Sequence, residues 1–412
     1  MRLQATRASV TSGGGAIDAL YRAAGGKPTL DQRFAKDKSL IDKISGSNLI
    51  TFSRASSGTF VGSNGSIQTA GVDVPRFDHD PVTGESLGLL IEEGRTNLLA
   101  YSEQFDESYW DKYSQGTGSA PSVTANHAVA PDGTTTATRL QCNLNGGTTS
   151  SDHSLLRRQG ITDPGGAVRS IYVRSNTGAN QSVYFTNAQN DDPTHTVTTK
   201  WTRLSVYDSD GNTQFRIGLR GTFPGDNIDI LIWGGQLESG LFPTSHISTS
   251  GSTATRSPDL TTIEGTNFTG GWYNQSEGTI FTDISPLATS SGRGYLFSNG
   301  SNGQRLGQNA DSTTGFALFM FNGGITSLAA AVSGMPKAIK ACLAYKSGSS
   351  RGAIDGDLQT LSTTSNVPDA IDQVGIGFQN YAGSSGFLNG HIKRFSYFPT
   401  RKTDAKLSGM TS

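Results

Sequence analysis

The spacing of apolar positions along this chain changes once, near residue 50. Before it, the spacing is helical. GAIDALYRAAGG, from Gly15, predicts a short helix closed by Gly25 and Gly26. TLDQRFAKDKSLIDKISG then offers Thr29 as an N-cap with Gln32 three residues on, a capping-box arrangement. Leu30, Phe34, Ile41 and Ile44 make one narrow apolar stripe, and Gly46 is a stop signal. Such a stripe lies either on its own domain or on a partner, as a docking or oligomerising segment, and the spacing alone does not choose.

Beyond residue 50 the period is two. TFSRASSGTFVGSNGSIQTA holds two strand candidates around Asn64-Gly65, a dipeptide that accepts the positive φ angles of a tight hairpin. Ala167, Ile171 and Val173 share a face of AVRSIYV, Leu204 and Val206 of TRLSV, and Ile228, Ile230 and Ile232 of NIDILIW. GTIFTDI, IKACLAY, AIDGDL, VGIGFQ and HIKRFSYF continue the pattern after residue 259. Gly, Asn, Asp, Ser and Thr fill the intervals, and no helices alternate with the strands. That order predicts a mainly β chain of tandem antiparallel sandwiches with a short helical or extended N-terminal anchor. In WGGQLESGLFPTSHISTSGSTATRSPDL, Gly234 and Gly235 mark a kink or bulge, and Pro243 ends regular pairing. This stretch is expected to close one sandwich and pass the chain to the next.

Composition narrows the function classes. The chain has 412 residues, room for two or three domains, with 34% hydrophobic residues, 8% aromatics and 52 glycines. It is too aromatic and too weakly charged for disorder. A net charge of -1 leaves no basic surplus for a nucleic-acid partner. No apolar run is long enough for membrane insertion, and MRLQATRASVTSGGG lacks the apolar core of a signal peptide. Assembly in the cytoplasm is expected. Cys142 and Cys342 match no metal or redox spacing and read as buried packing groups.

Three blocks carry a resemblance. FSRASSGTFVGSNGSIQTA and VPRFDHDPVTGESLGLLIEEGRTNLLAYSEQFD, within Phe52 to Asp106, resemble the N-terminal region of modular virion proteins of tailed bacteriophages, of the tail-fibre or host-recognition type. Trp110, the Ala130-Pro131-Asp132-Gly133 turn, the Trp201-Thr202-Arg203 strand and the closing WGGQLESGLFPTSHI resemble a carbohydrate-binding-module-like jelly roll. Residues 271–407, through AYKSGSSRGAIDGDL and GHIKRFSYFPTRKTDAKL, resemble a concanavalin-A/laminin-G-like sandwich. The resemblance implies an N-terminal anchor or docking segment (1–50), a small β linker region (51–98), the jelly roll (99–258) and the lectin-like sandwich (259–412). It implies a virion structural protein, a tail fibre or appendage. Such a protein attaches to other virion proteins through its N-terminal region and displays its sandwiches to host-surface glycan as a homo-oligomer, with a trimer as the expectation. A capsid-decorating or baseplate protein making only protein contacts is the alternative, and a polysaccharide-degrading enzyme is a third.

Candidate chemistry is sparse, and a non-enzyme with no cofactor is expected. Glu277 and Asp283 share a strand face but stand too far apart for a glycosidase pair, which works at roughly 5–10 Å. Asp78, Asp80 and Glu85 in FDHDPVTGE have oxygen ligands spaced for a structural Ca²⁺, though not as an EF-hand. Alternatively, they pair with Arg54, Arg76 or Arg95 to fix a turn. Sugar rings stack on exposed aromatics, which makes Trp110, Tyr113, Tyr184, Trp272, Tyr273 and Tyr381 the carbohydrate-binding candidates. Each is also a residue that a β core or an interface consumes. Trp201 and Trp233 are placed in or near the core.

Overall fold

The computed structural model describes residues 17–161, 166–186, 194–209, 214–287, 292–300, 303–311, 315–322, 325–332, 338–360, 367–380 and 385–412. The expected mainly β architecture is present, as two antiparallel sandwiches with small helices near the termini.

The larger sandwich pairs an eight-stranded sheet with a seven-stranded one among the described residues. At the centre of the first sheet, Gly390–Phe398 lies between Glu277–Pro286 and Ser86–Ile91. Leu30–Gln32 also pairs with Gly390–Phe398, Leu30 opposite Tyr397. In the second sheet Thr51–Ser53 pairs with Leu260–Ile263, which continues into Gln373–Ile376. Leu30, Leu89 and Ile91 share one core with Ile280, Ile376 and Tyr397. The strands expected to form a separate anchor and linker are therefore structural parts of the C-terminal sandwich.

The predicted helix from Thr29 to Gly46 does not form. Leu30–Gln32 is a strand, and only Phe34–Asp37 is helical. The reason is long-range: backbone groups of residues 30–32 are taken by the strand Gly390–Phe398. Asp42 then accepts the Asp31 and Ser45 amides, each at 2.7 Å, which folds the chain into a turn. Ile41 and Ile44 remain exposed. The first predicted helix is present as Ala19–Ala24, capped by Asp18. Its Leu20 and Ala24 pack with Leu407 and Met410 of the helix Asp404–Thr411 and with Phe281 and Cys342 of the eight-stranded sheet.

The smaller sandwich lies between Arg95–Asn97 and Ala254–Arg256. Its sheets run in the order Thr202–Asp208, Ala167–Ser175, Asn227–Ser239, Ala137–Asn143, Ser119–Ala128, and Thr194–Val197, Gln181–Thr186, Phe215–Arg220, His153–Arg158, Asp111–Gln115. Ile171, Val173, Ile228, Ile230 and Ile232 fill its core, as their alternation predicts. The bulge expected at Gly234-Gly235 is present. Register shifts there, between Ser170 opposite Gln236 and Tyr172 opposite Trp233, and Gly234 takes φ +64°. Both cysteines are free and buried. Among the described residues no helix is long and apolar enough to cross a membrane.

The smaller sandwich is thus an insertion within the larger one. The chain leaves through Arg95–Asn97 and returns through Ala254–Arg256, and these two strands pair, Asn97 opposite Ala254.

Candidate functional site

Segments between Phe52 and Glu92, together with Arg256 and Asp259, build the junction of the two sandwiches. Arg54 of FSRASS, Arg76 of VPRFDHD, Glu92 of LLIEEGR, and Arg256 and Asp259 of TRSPDL are all buried there. Arg54 Nη1 lies 3.0 Å from Asp259 Oδ1, and Arg76 Nη1 2.7 Å from Glu92 Oε2. Arg76 Nη2 also meets Asp259 Oδ2, and Arg256 Nη2 stands 3.5 Å from Glu92. Ser245 donates to Glu92 through its amide at 2.8 Å and its hydroxyl at 2.7 Å. Burial pushes the Glu92 pKa up, but Arg256, Arg76 and the Ser245 hydrogen bonds outweigh it and hold the carboxyl well below its usual range. This network is a structural clamp, because each charged group is spent on another part of the same chain.

The aromatic candidates separate by environment. Trp110, Tyr184 and Trp272 are buried at 3%, 1% and 5% exposure, so their faces are unavailable to a sugar, a correction to the sequence expectation. Trp110 packs against Phe105 and Phe215 in the jelly-roll core. Tyr184 stacks on Phe223, and Trp272 meets Phe268 and Tyr397 edge-on. Tyr273 is half-buried and stacked on Phe297, with burial pushing its phenol pKa far up. Tyr113 is half-buried with the Arg157 guanidinium 3.4 Å from its ring centroid, so that face is covered. Tyr381 lies outside the described residues.

Asp78, Asp80 and Glu85 do not converge into a cation site; among the described residues no group of three such ligands does. Asp78 accepts from the Val61 amide and lies 2.8 Å from His391 Nε2. Asp80 accepts the Val82 and Thr83 amides at 2.8 and 2.7 Å, and Glu85 lies 3.2 Å from Lys393. They do fix a turn, but through these partners and not through the arginines expected, which the clamp and Glu93 hold. Glu277 and Asp283 share the strand Glu277–Pro286, six positions and about 20 Å apart.

A cleft that sequence reasoning missed lies where the inserted sandwich meets the hairpin Gly58–Val61 and Ile67–Ala70. The hairpin is fixed against the jelly roll at two points. The Ile67 amide donates to Pro131 O at 2.9 Å, and Thr59 Oγ1 donates to His246 O at 2.6 Å. The volume is about 690 Å³, within the range of small-ligand sites. One wall is the hairpin tip, Asn64 to Ile67, with Gly65 at φ +77° in the turn. Pro81, Val82 and Val129 to Pro131 line the rim, and Val82 and Val129 are exposed at 78% and 53%.

Strand geometry supplies the floor. Ile171 and Val173 point into the core, so Tyr172 and Arg174 point out of it. Tyr172 is opposite Arg203 and Val173 opposite Thr202, which brings Lys200, Trp201 and Arg203 beside Arg174. Trp201 is half-buried against Ala130 and Trp233, and its indole N–H donates to Val129 O at 3.3 Å. The Arg174 guanidinium sits 5.1 Å from the Trp201 ring centroid. Arg203 donates to Thr244 O at 2.6 Å and Ser170 Oγ at 2.9 Å, and lies 5.3 Å from the Tyr172 centroid. None of Arg174, Lys200 and Arg203 forms an ion pair among the described residues, and no described carboxylate lines the cleft. The signal available beforehand was KWTR, a cation-aromatic-x-cation run, together with an outward Arg174 on the neighbouring strand.

No family model matches this chain, and no curated protein matches it. Solved structures with partial similarity include the sialidase carbohydrate-binding module CBM40 of Ruminococcus gnavus bound to alpha2,6 sialyllactose. It is 15% identical with a TM-score of 0.30, over 34% of this chain and 85% of that one. Domain 4 of an extracellular arabinanase from Geobacillus stearothermophilus, in complex with arabinotriose, is 8% identical with a TM-score of 0.31, over 42% and 84%. A SAP-like pentraxin from Limulus polyphemus is 15% identical with a TM-score of 0.27, over 32% and 68%. These overlaps identify neither a family nor a ligand for this protein.

Proposed function

We propose that this chain is a non-catalytic host-recognition protein of a phage virion, a tail fibre or appendage whose cleft beneath the 58–70 hairpin binds host-surface glycan. The observation that carries the reading is the cleft itself. It combines half-buried aromatic rings, aliphatic walls and hydrogen-bonding groups on a floor fixed by two strands, as carbohydrate sites require. The virion setting rests on the resemblance of Phe52 to Asp106 to tailed-phage proteins; Arg54, Arg76 and Glu92 of that segment join Arg256 and Asp259 in the clamp. In the virion, several copies, a trimer in the simplest case, turn weak single-site contacts into firm attachment. Attachment to other virion proteins is assigned to the N-terminal region.

The test is an array of bacterial surface polysaccharides probed with the full chain. Binding is expected, and Trp201→Ala is expected to weaken it tenfold or more while Trp201→Phe retains most of it, with thermal melts confirming that both variants still unfold cooperatively. Absence of binding to any saccharide, together with immunogold label over the phage head, would instead support a capsid-decorating protein. Release of reducing ends from a bound polysaccharide would overturn the non-catalytic reading.

A further inference from the structure

We propose that the saccharide taken by this cleft is acidic, with a sugar carboxylate seated against Arg174, Lys200 and Arg203. The inference rests on the glycan reading above and adds the charge of the ligand. The whole chain has a net charge of -1, so general basicity does not explain three cations in one cleft without a counter-carboxylate. Several partly buried arginines elsewhere are paired, Arg139 with Asp229, Arg157 with Asp111, and Arg394 with Asp18 and Asp31, while Arg158 and Arg220 lie over Tyr109 and Tyr184 without a carboxylate partner among the described residues. The cleft is set apart by gathering three such cations around an open volume lined by no described carboxylate.

Two of its cations are also held in place. Arg203 is oriented by Thr244 and Ser170 and lies over Tyr172, and Arg174 lies over Trp201. A guanidinium held in this way loses little rotamer freedom when it binds, and its planar fork matches a carboxylate. Lys200 is exposed at the rim and adds a point charge. Pro81, Val82, Val129 and Pro131 present aliphatic surface to the C–H face of a pyranose, a contact that a bare phosphate or a nucleic-acid backbone does not use. The cations are confined to one cleft and form no stripe of the kind that tracks a phosphate chain.

The experiment takes each polysaccharide that the full chain binds and measures affinity before and after chemical reduction of its carboxyl groups. A single-stranded dT hexamer and inorganic phosphate serve as anions without a carboxylated sugar. The expected result is a tenfold or greater loss on carboxyl reduction and a steep loss between 50 and 500 mM salt. Arg174→Glu and Lys200→Glu should each give a tenfold or greater loss, and Lys112→Glu, on the opposite sheet, none. Arg174→Gln and thermal melting separate loss of charge from loss of fold.

Neutral saccharides bound as well as acidic ones, with Trp201 still required, would overturn this inference and leave the glycan reading standing. Acidic binding indifferent to both charge reversals would overturn it as well, by moving the site elsewhere. Equal affinity for the dT hexamer would reduce it to general anion binding and overturn it. No binding to any saccharide would overturn both readings together.

Discussion

At the residue scale, the charged groups of this protein divide into those spent on the fold and those left for a ligand. Arg76, Glu92 and Asp259 belong to the first kind. Breaking such a buried pair typically costs about 3–5 kcal/mol, because the group left behind is charged and dry. Glu92 and His246, close together through Ser245, also make the junction acid-sensitive. Burial lowers the His246 pKa below its ordinary value near 6.5, against the pull of Glu103. The fold therefore favours neutral His246, and this stability is present above pH 6.5 and lost as pH falls toward the depressed value. The Glu92 contribution has the same sign but begins lower, lost as pH falls below about 4.5. Melting temperature should thus drop between pH 7.5 and 5, and His246→Gln should flatten that drop, as thermal melts across the range would show. Some slope should persist, since burial also lowers His153 and His195.

Residue identity was the least legible level of the sequence. A tryptophan's type does not say which way it faces. The sequence points to Trp110 for stacking and to Trp201 for the core, yet Trp110 is in the core and Trp201 lines the cleft. The face is decided by register against neighbouring strands, here Tyr172 opposite Arg203. The KWTR run becomes a site only when that register adds Arg174 and Tyr172.

At the element scale, period-two alternation is legible in the long strands even where their partners lie far along the chain. The isoleucines of Asn227–Ser239 lie in the core, and the Gly234 bulge lies where two glycines interrupt the strand. The failure was Leu30–Gln32, read as the start of a helix. No local window reveals a strand whose partner, Gly390–Phe398, is at the other end of the chain. The same strand makes a demand on Gly88, which sits at φ +96° with the Ile392 backbone where a Cβ would lie. Gly88→Ala should cost roughly 1–3 kcal/mol or more in urea unfolding, through both the dihedral and the collision. A variant as stable as the parent would mean that Ser86–Ile91 does not dock so closely.

At the scale of the whole molecule, nesting was the feature hidden from sequence. Both sandwiches were legible as counts of strands, but their order was read as consecutive. Because Asn97 and Ala254 pair side by side, the inserted unit has its two ends together. Replacing residues 99–250 with a short Gly-Ser link should leave a sandwich that still unfolds cooperatively, at reduced stability because Glu92 loses Ser245. Calorimetry would check this, and a broad, non-cooperative transition would show that the larger unit depends on its insert.

The pairing of Asp31 with Arg394, 363 positions apart, bears on how the protein is made. A ribosome delivers Leu30, Leu89 and Ile91 long before the strand that shelters them exists. The inserted jelly roll, with its core drawn from one contiguous stretch, is complete while those early segments still wait uncovered. The newborn chain is most vulnerable to self-association in that interval, which ends only when the final strand slides between Ser86–Ile91 and Glu277–Pro286.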